Sequence, residues 1–367
     1  MDLTPDMEPR PDSRRTARQE AAFIGPLLAD LFTIETIYRH GQRLMVTLGY
    51  RYERERTNDL LKDRLKLAGY DFTMQETEQH LILEIDPRRR IRIPRINIVL
   101  FFVTLFTVYV VPVFYKYGTV PDTIAALGDG EGLVFTAAMI SILFVHEMGH
   151  FVASRRRGIV TSWPYFIPAP NFIGSFGAII KSKSPFWNRR DLIEVGAAGP
   201  IAGWIVAVIW LMYGFTTATV ITTSHIPAGV MYFGEPLVYR LLQPLFAAPV
   251  PENASLLLSE ALMAGWVGLL VTAINLLPIG QLDGGHILYG LVRRRQAVLG
   301  WLGMATLLVL GFWSMLWWVF AAFGLIFGVS HPPTLDDRRP PGRTAVALAV
   351  TAIIIMALSF IPIPIRM

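Results

Sequence analysis

The feature that most restricts this chain is a series of apolar runs, each about 18–20 residues long and so about the length that crosses a bilayer. A backbone inside hydrocarbon must satisfy its own amides, so such runs fold as spanning helices. The mean hydropathy of +0.45 and the 53% hydrophobic content exclude a disordered chain and argue against an ordinary water-soluble globule. The expected architecture is an all-α polytopic membrane protein of about six or seven transmembrane helices. A small β-hairpin or re-entrant element and a small N-terminal α+β soluble module complete it.

Charge orders these runs. The net charge of +5 comes from blocks such as Arg88-Arg89-Arg90, Arg155-Arg156-Arg157 and Arg293-Arg294-Arg295, each beside an apolar segment. That is the pattern of cytoplasmic flanks of membrane spans, and it points to a lipid bilayer rather than to nucleic acid. Residues 1–20 are charged and lack an apolar stretch, which reads as a disordered tail and not a signal peptide.

Residues 21–95 read as a cytoplasmic soluble module. It has a strand at GQRLMVTLGY, a helix at TNDLLKDRLKLAGY capped by Thr57 or Asn58, and a hairpin around Glu76-Thr77-Glu78. Residues 96–367 read as the membrane domain. Spans are expected at Ile96–Tyr115, at Gly132–Val152, from Leu192, at Leu257–Leu277 and at Thr344–Phe360. Residues 297–329 are expected to make two short passes turning near Gly311–Ser314, because a single pass would place Arg338, Arg339 and Arg343 outside. The N-terminus is then cytoplasmic, as for the inner membrane of a bacterium.

The chain has no cysteine, which removes disulfides, Cys-ligated zinc, iron–sulfur clusters and thiol nucleophiles together. A metal must be held by His and carboxylate. His146-Glu147-Met148-Gly149-His150 has the spacing for it: positions i and i+4 share a helix face, so two imidazoles reach one tetrahedral ion. Glu147 then lies where it can take a proton from water. Three ionisable side chains ending an apolar run are expensive unless they are used. A buried polar cluster that merely packs two helices is the plain alternative.

A catalytic zinc takes a third protein ligand. Glu194 is near in sequence, but Asp283 is the better candidate, within Asn275-Leu276-Leu277-Pro278-Ile279-Gly280-Gln281-Leu282-Asp283-Gly284-Gly285. Pro278, Gly280, Gly284 and Gly285 make this backbone irregular at membrane depth, which is tolerated only where it is buried in protein or lines a wet cavity.

With these motifs the sequence resembles the site-2 protease family of intramembrane zinc metalloproteases. It is most similar to the bacterial and chloroplast branch that carries Gly-Ser-Phe-Gly-Ala and Asn-Leu-Leu-Pro-x-Gly-Gln-Leu-Asp-Gly-Gly. The resemblance covers roughly residues 96–367. It implies one Zn2+ per chain held by His146, His150 and Asp283, with Glu147 as general base. It also implies hydrolysis of peptide bonds in transmembrane protein or peptide substrates.

Asn275 matches the family's Asn and either contacts the substrate carbonyl or caps the helix broken at Pro278. Gly174, Ser175, Phe176, Gly177 and Ala178 match a stretch thought to pair with an extended substrate strand, or else form a re-entrant hairpin over the site.

His286 is expected to face solvent or headgroups and is left out of the metal set. His331-Pro332-Pro333 with Asp336-Asp337 belongs to the same resemblance, and the sequence assigns it no role. His40, His80 and His225 read as ordinary surface histidines. The two motifs leave no room between them for the PDZ domain of many bacterial relatives. A catalytically silent membrane scaffold or chaperone of the same fold is the alternative function. A transporter is disfavoured by the absence of internal repeats.

Overall fold

Leu44, Val46 and Leu48 alternate with less buried neighbours, and so do Leu81, Leu83 and Ile85; both stretches are strands that turn one face to a core. In the computed structural model they belong to a unit made of α1 (Gly25–Leu28), β1 (Phe32–His40), β2 (Arg43–Tyr50), α2 (Arg54–Ala68), β3 (Phe72–Glu76) and β4 (His80–Ile85). The strands form an antiparallel sheet in the order β1-β2-β4-β3, and Leu61 and Leu65 of α2 complete its core.

The structure describes residues 24–77, 79–86, 93–157, 159, 161–182, 186, 188–222, 232–251, 253–334 and 336–366. The expected tail at 1–20, Glu78 of the expected hairpin and His225 lie outside these. The hairpin is the β3–β4 connection, as expected. The expected cap is corrected: α2 begins at Arg54, so Thr57 and Asn58 lie inside it. The Thr57 hydroxyl donates to the Glu53 carbonyl, while Asn58 accepts from the Tyr50 hydroxyl at 3.1 Å and donates to Glu76 at 2.7 Å. Asn58 is therefore spent on tertiary contacts. Arg64 forks onto both oxygens of Asp30 at 2.8 and 2.9 Å and onto the Leu27 carbonyl.

The second unit continues with α3 (Arg95–Tyr117), α4 (Val120–Gly128), α5 (Leu133–Arg156), β5 (Tyr165–Pro168), β6 (Ser175–Ile179), α6 (Arg189–Thr217), β7 (Thr219–Thr222) and β8 (Tyr232–Phe233). It ends with α7 (Leu237–Phe246), β9 (Ala254–Leu257), α8 (Glu260–Asn275), α9 (Asp283–Val292), α10 (Arg295–Leu310), α11 (Met315–Phe327), α12 (Gly342–Ser359) and β10 (Ile365–Arg366). Among the described residues four helices are long and apolar enough to cross a membrane: α3, α5, α6 and α12.

Helices α8, α10 and α11 are apolar but shorter. The expected fourth span starts late, at Glu260, because residues 254–257 pair with β7 instead. The turn between α10 and α11 falls at 311–314, where it was expected. Helices α4 and α7 have no counterpart in the sequence reading.

Small residues set how these helices meet. Ala207, Leu211 and Gly214 of α6 lie against Gly268, Gly265 and Leu262 of α8, so the two run antiparallel in close contact. Gly199 and Gly203 of α6 lie against His150 and His146 of α5 in the same reversed order. Helices α5 and α8 are thus parallel to each other. Their N-terminal ends are joined by Glu260, whose two carboxylate oxygens accept from the backbone N–H of Gly132 at 2.7 Å and of Phe135 at 3.0 Å. Free N–H groups at a helix start favour such an acceptor.

Candidate active site

From the Glu260 clamp, His146 lies 13 residues beyond Leu133, about 20 Å along α5 at 1.5 Å per residue, and Asn275 about 22 Å along α8. Two parallel helices registered at one end therefore bring these side chains to the same depth. The Asn275 carboxamide nitrogen is 3.4 Å from His146 Nε2. The Asn275 side chain points to the histidines and makes no bond to the broken turn among the described residues.

Asp283 arrives by a different route. Helix α8 ends at Asn275, the chain turns through Pro278 and Gly280, and α9 begins with Asp283 as its first residue. Gly280 adopts φ +53°, the left-handed region that favours glycine. Gly284 and Gly285 do not break the chain, as the sequence suggested. They open α9 and pass so close to the Leu276 and Gly280 carbonyls that a Cβ on either would collide.

His146 Nε2 and His150 Nε2 are 3.2 Å apart, and each is 3.3 Å from Asp283 Oδ2. This is a near-equilateral triangle of two imidazole nitrogens and one carboxylate oxygen. Ligand atoms about 2.0 Å from a tetrahedral ion are separated by about 3.3 Å, so the triangle matches one face of a zinc coordination shell. His150 Nδ1 lies 2.8 Å from the Val195 carbonyl, which can only accept; the proton is therefore on Nδ1, and Nε2 presents its lone pair. Glu147 is 5% exposed, and its Oε2 has no hydrogen-bond partner among the described residues. A buried carboxylate oxygen left open is costly unless something other than protein meets it there. The donor set and the open oxygen fit a zinc centre.

Gly199 and Gly203 of α6 are four residues apart: a Cβ on Gly199 would run into the His150 ring, and one on Gly203 would lie 2.9 Å from His146 Cβ. The Gly-x-x-x-Gly surface makes room for the two imidazoles. Glu194 bonds Arg190 at 2.8 Å and takes no place in the triangle. Glu260 and its clamp escaped the sequence reading; an acidic side chain opening an apolar run was the signal for it.

Gly174 precedes β6 and Ser175–Ala178 form its start; the strand is paired on one edge with β5 and has no strand on the other among the described residues. The hairpin leans along α3: Asn97 donates to the Trp163 and Pro164 carbonyls, Thr107 to Gly174 at 2.7 Å and Tyr115 to Pro170 at 3.1 Å. These contacts spread over about 27 Å of helix. Phe176 is 63% exposed. Ala178 packs on the core cluster that includes Met139, Ile142 and Leu143 of α5.

The expected exposure of His286 is corrected. It is half-buried, with Nδ1 2.6 Å from His331 Nε2 and its ring beside Phe186. His80 pairs with Glu35 at 3.0 Å, and His40 is exposed.

The profile described as Peptidase family M50 matches residues 134–317, half of the chain, including every residue of the triangle, Glu147 and Asn275. The probable zinc metalloprotease EGY2, chloroplastic, of Oryza sativa subsp. indica is 31% identical over 251 residues, covering 66% of this chain and 44% of that protein. EGY2 of Arabidopsis thaliana is 30% identical over 249 residues with the same coverage, and EGY1 of the same plant 29% over 233 residues, covering 61% and 42%. The chain thus spans less than half the length of the curated relatives it matches. Their names place them in chloroplasts and give a bacterial inner membrane no support. No solved structure matches the chain significantly. The matched half contains the motif helix, Asp283 and the helices that hold them together: the chain belongs to peptidase family M50.

Proposed function

We propose that this chain is an intramembrane zinc endopeptidase that hydrolyses peptide bonds of membrane-spanning protein substrates, in regulated intramembrane proteolysis or in clearing membrane remnants. One observation carries the reading: two imidazole nitrogens and a carboxylate oxygen spaced 3.2–3.3 Å apart beside a buried glutamate oxygen that has no partner among the described residues. His146, His150 and Asp283 hold one zinc. When bound, zinc supplies a Lewis acid that polarises the scissile carbonyl and acidifies water. Glu147 takes a proton from the attacking water and returns it to the amine as the C–N bond breaks. The Asn275 carboxamide, 3.4 Å from His146 Nε2, orients the carbonyl and bonds the charge that develops on its oxygen.

The free edge of β6, from Gly174 to Ala178, takes the substrate as an added strand. A helical segment hides its amides, and pairing with a strand holds them unwound for cleavage. Residues 96–367 act as the protease domain within the bilayer and residues 21–95 as a separate module, with the N-terminus on the side of the basic flanks.

The test is metal analysis of the purified chain, paired with cleavage of a model transmembrane peptide by wild type and Glu147→Gln. The expected result is one zinc in each protein and cleavage by wild type alone. Undiminished cleavage by Glu147→Gln overturns the mechanism, and a folded, metal-free wild type favours the silent scaffold.

A further inference from the structure

Asp283 is the first residue of α9, so the direction of its carboxylate depends on how the chain between Asn275 and Asp283 enters that helix. That connection contains a proline and a left-handed glycine, and its internal backbone bonds are short turns, Ile279 N–H to Leu277 at 2.8 Å and Leu282 N–H to Ile279 at 3.1 Å. Residues 328–334 lie against it. Gly280 N–H donates to the Val329 carbonyl at 2.9 Å, and the Gly328 carbonyl lies where a Cβ on Gly280 would be.

Gln296 ties the two segments a second time. Its Nε2 donates to Pro278 at 3.2 Å and to Val329 at 3.1 Å, and its Oε1 accepts from the His331 N–H at 2.9 Å. The residue is 1% exposed, and both ends of a buried amide are thus committed to joining two stretches of backbone. Beyond Asp283 the same segment grips α9. His331 Nε2 meets His286 Nδ1 at 2.6 Å, and Asp337 accepts from the Tyr289 hydroxyl at 2.6 Å while Thr334 holds its other oxygen. Burial pushes the His331 imidazole below its ordinary range, and its Nδ1 faces the Pro332 carbonyl, which can only accept, so Nε2 is left to accept from His286. Pro332 and Pro333 fix their own φ angles and stiffen the run between these grips.

We propose that residues 328–334 with Asp337 form a strap, fastened by Gln296 and His331, that fixes the Asp283 carboxylate where His146 and His150 converge. Gln296 and His331 are positioning residues, and the proposal rests on the triangle being a zinc site. It gives His331-Pro332-Pro333 and Asp337 a physical use: grips at Pro278, Gly280, His286 and Tyr289 bracket the ligand on both sides. Outer partners of this kind are worth about 10–100-fold in metal affinity.

The test uses the full chain in detergent, with His331→Ala and Gln296→Leu compared with wild type. Zinc affinity is measured against a competing chelator, and the visible spectrum of the cobalt(II)-loaded protein is recorded on the folded, monodisperse fraction. The strap predicts a 10–100-fold loss of zinc affinity and shifted cobalt bands. His331→Gln, which keeps a side chain able to bond His286, should recover most of both. A general loss of stability would not move the spectrum of folded molecules. Wild-type affinity and spectrum in His331→Ala and Gln296→Leu would overturn the strap alone. A wild-type chain that binds neither metal would overturn the zinc reading and the strap with it.

Discussion

The two units bury ionisable side chains and use them differently. In the N-terminal unit Arg64 is 5% exposed and forks onto both oxygens of Asp30. In the membrane unit Glu147 is also 5% exposed, yet its Oε2 meets no donor among the described residues. The first arrangement holds a fold together, because a guanidinium forked on a carboxylate recovers part of the cost of burial. The second leaves a buried carboxyl oxygen open in a place where two imidazoles and Asp283 converge. A buried fork of opposite charges reads as structure, and a buried carboxyl left open beside such a triangle reads as chemistry.

The largest effect that separates the two is on rate. Glu147→Gln should lower cleavage of a transmembrane peptide by about 10²–10⁴-fold with zinc content unchanged. Its thermal midpoint should not fall, since the open Oε2 bonds no protein group among the described residues. A fold collapse in this variant would make Glu147 a structural charge like Arg64 and break the comparison. Next, Gly199→Ala should cost most of the bound zinc, read by metal analysis, because the added methyl occupies the place of the His150 ring. Gly41→Ala in the N-terminal unit meets open space, and its only penalty is its φ of +60°, about 1–2 kcal/mol of stability.

Arg64→Met should destabilise the N-terminal unit by about 1–3 kcal/mol, seen as faster amide exchange in β2 and β4, with zinc content unchanged. The smallest effect is expected for Glu260→Gln, which keeps one acceptor for the start of α5 and gives up the other. It should lower the melting temperature by the worth of one hydrogen bond, about 1 kcal/mol. A wild-type cleavage rate per zinc in that variant would show that the clamp sets stability more than register.

The candidate metal set, whose three side chains the fold brings together, was legible because its residue types are scarce and misplaced. With no cysteine and few histidines, a His-Glu-x-x-His at the end of an apolar run and an aspartate after a broken helix leave little choice. The long spans were legible from hydropathy, and the turn at 311–314 from charge on its flank. What stayed hidden depends on contacts distant in sequence. Leu257 leaves the expected fourth span because it ends a strand, residues 254–257, that pairs with β7. Asn58 looks like a cap until Tyr50 and Glu76 are brought to it by the sheet. Glu260 finds Gly132 and Phe135, and Gln296 finds Val329 and His331, only once the helices have assembled. Local propensity carries no trace of such partners.

The central claim is that one zinc sits on His146, His150 and Asp283, and zinc-edge X-ray absorption of the purified full chain tests it most directly. The account predicts about one zinc per chain with nitrogen and oxygen neighbours near 2.0–2.1 Å, imidazole scattering from two rings, and loss of both the metal and that signal in His150→Ala. A chain purified without zinc, or a zinc signal unchanged in His150→Ala, would contradict it.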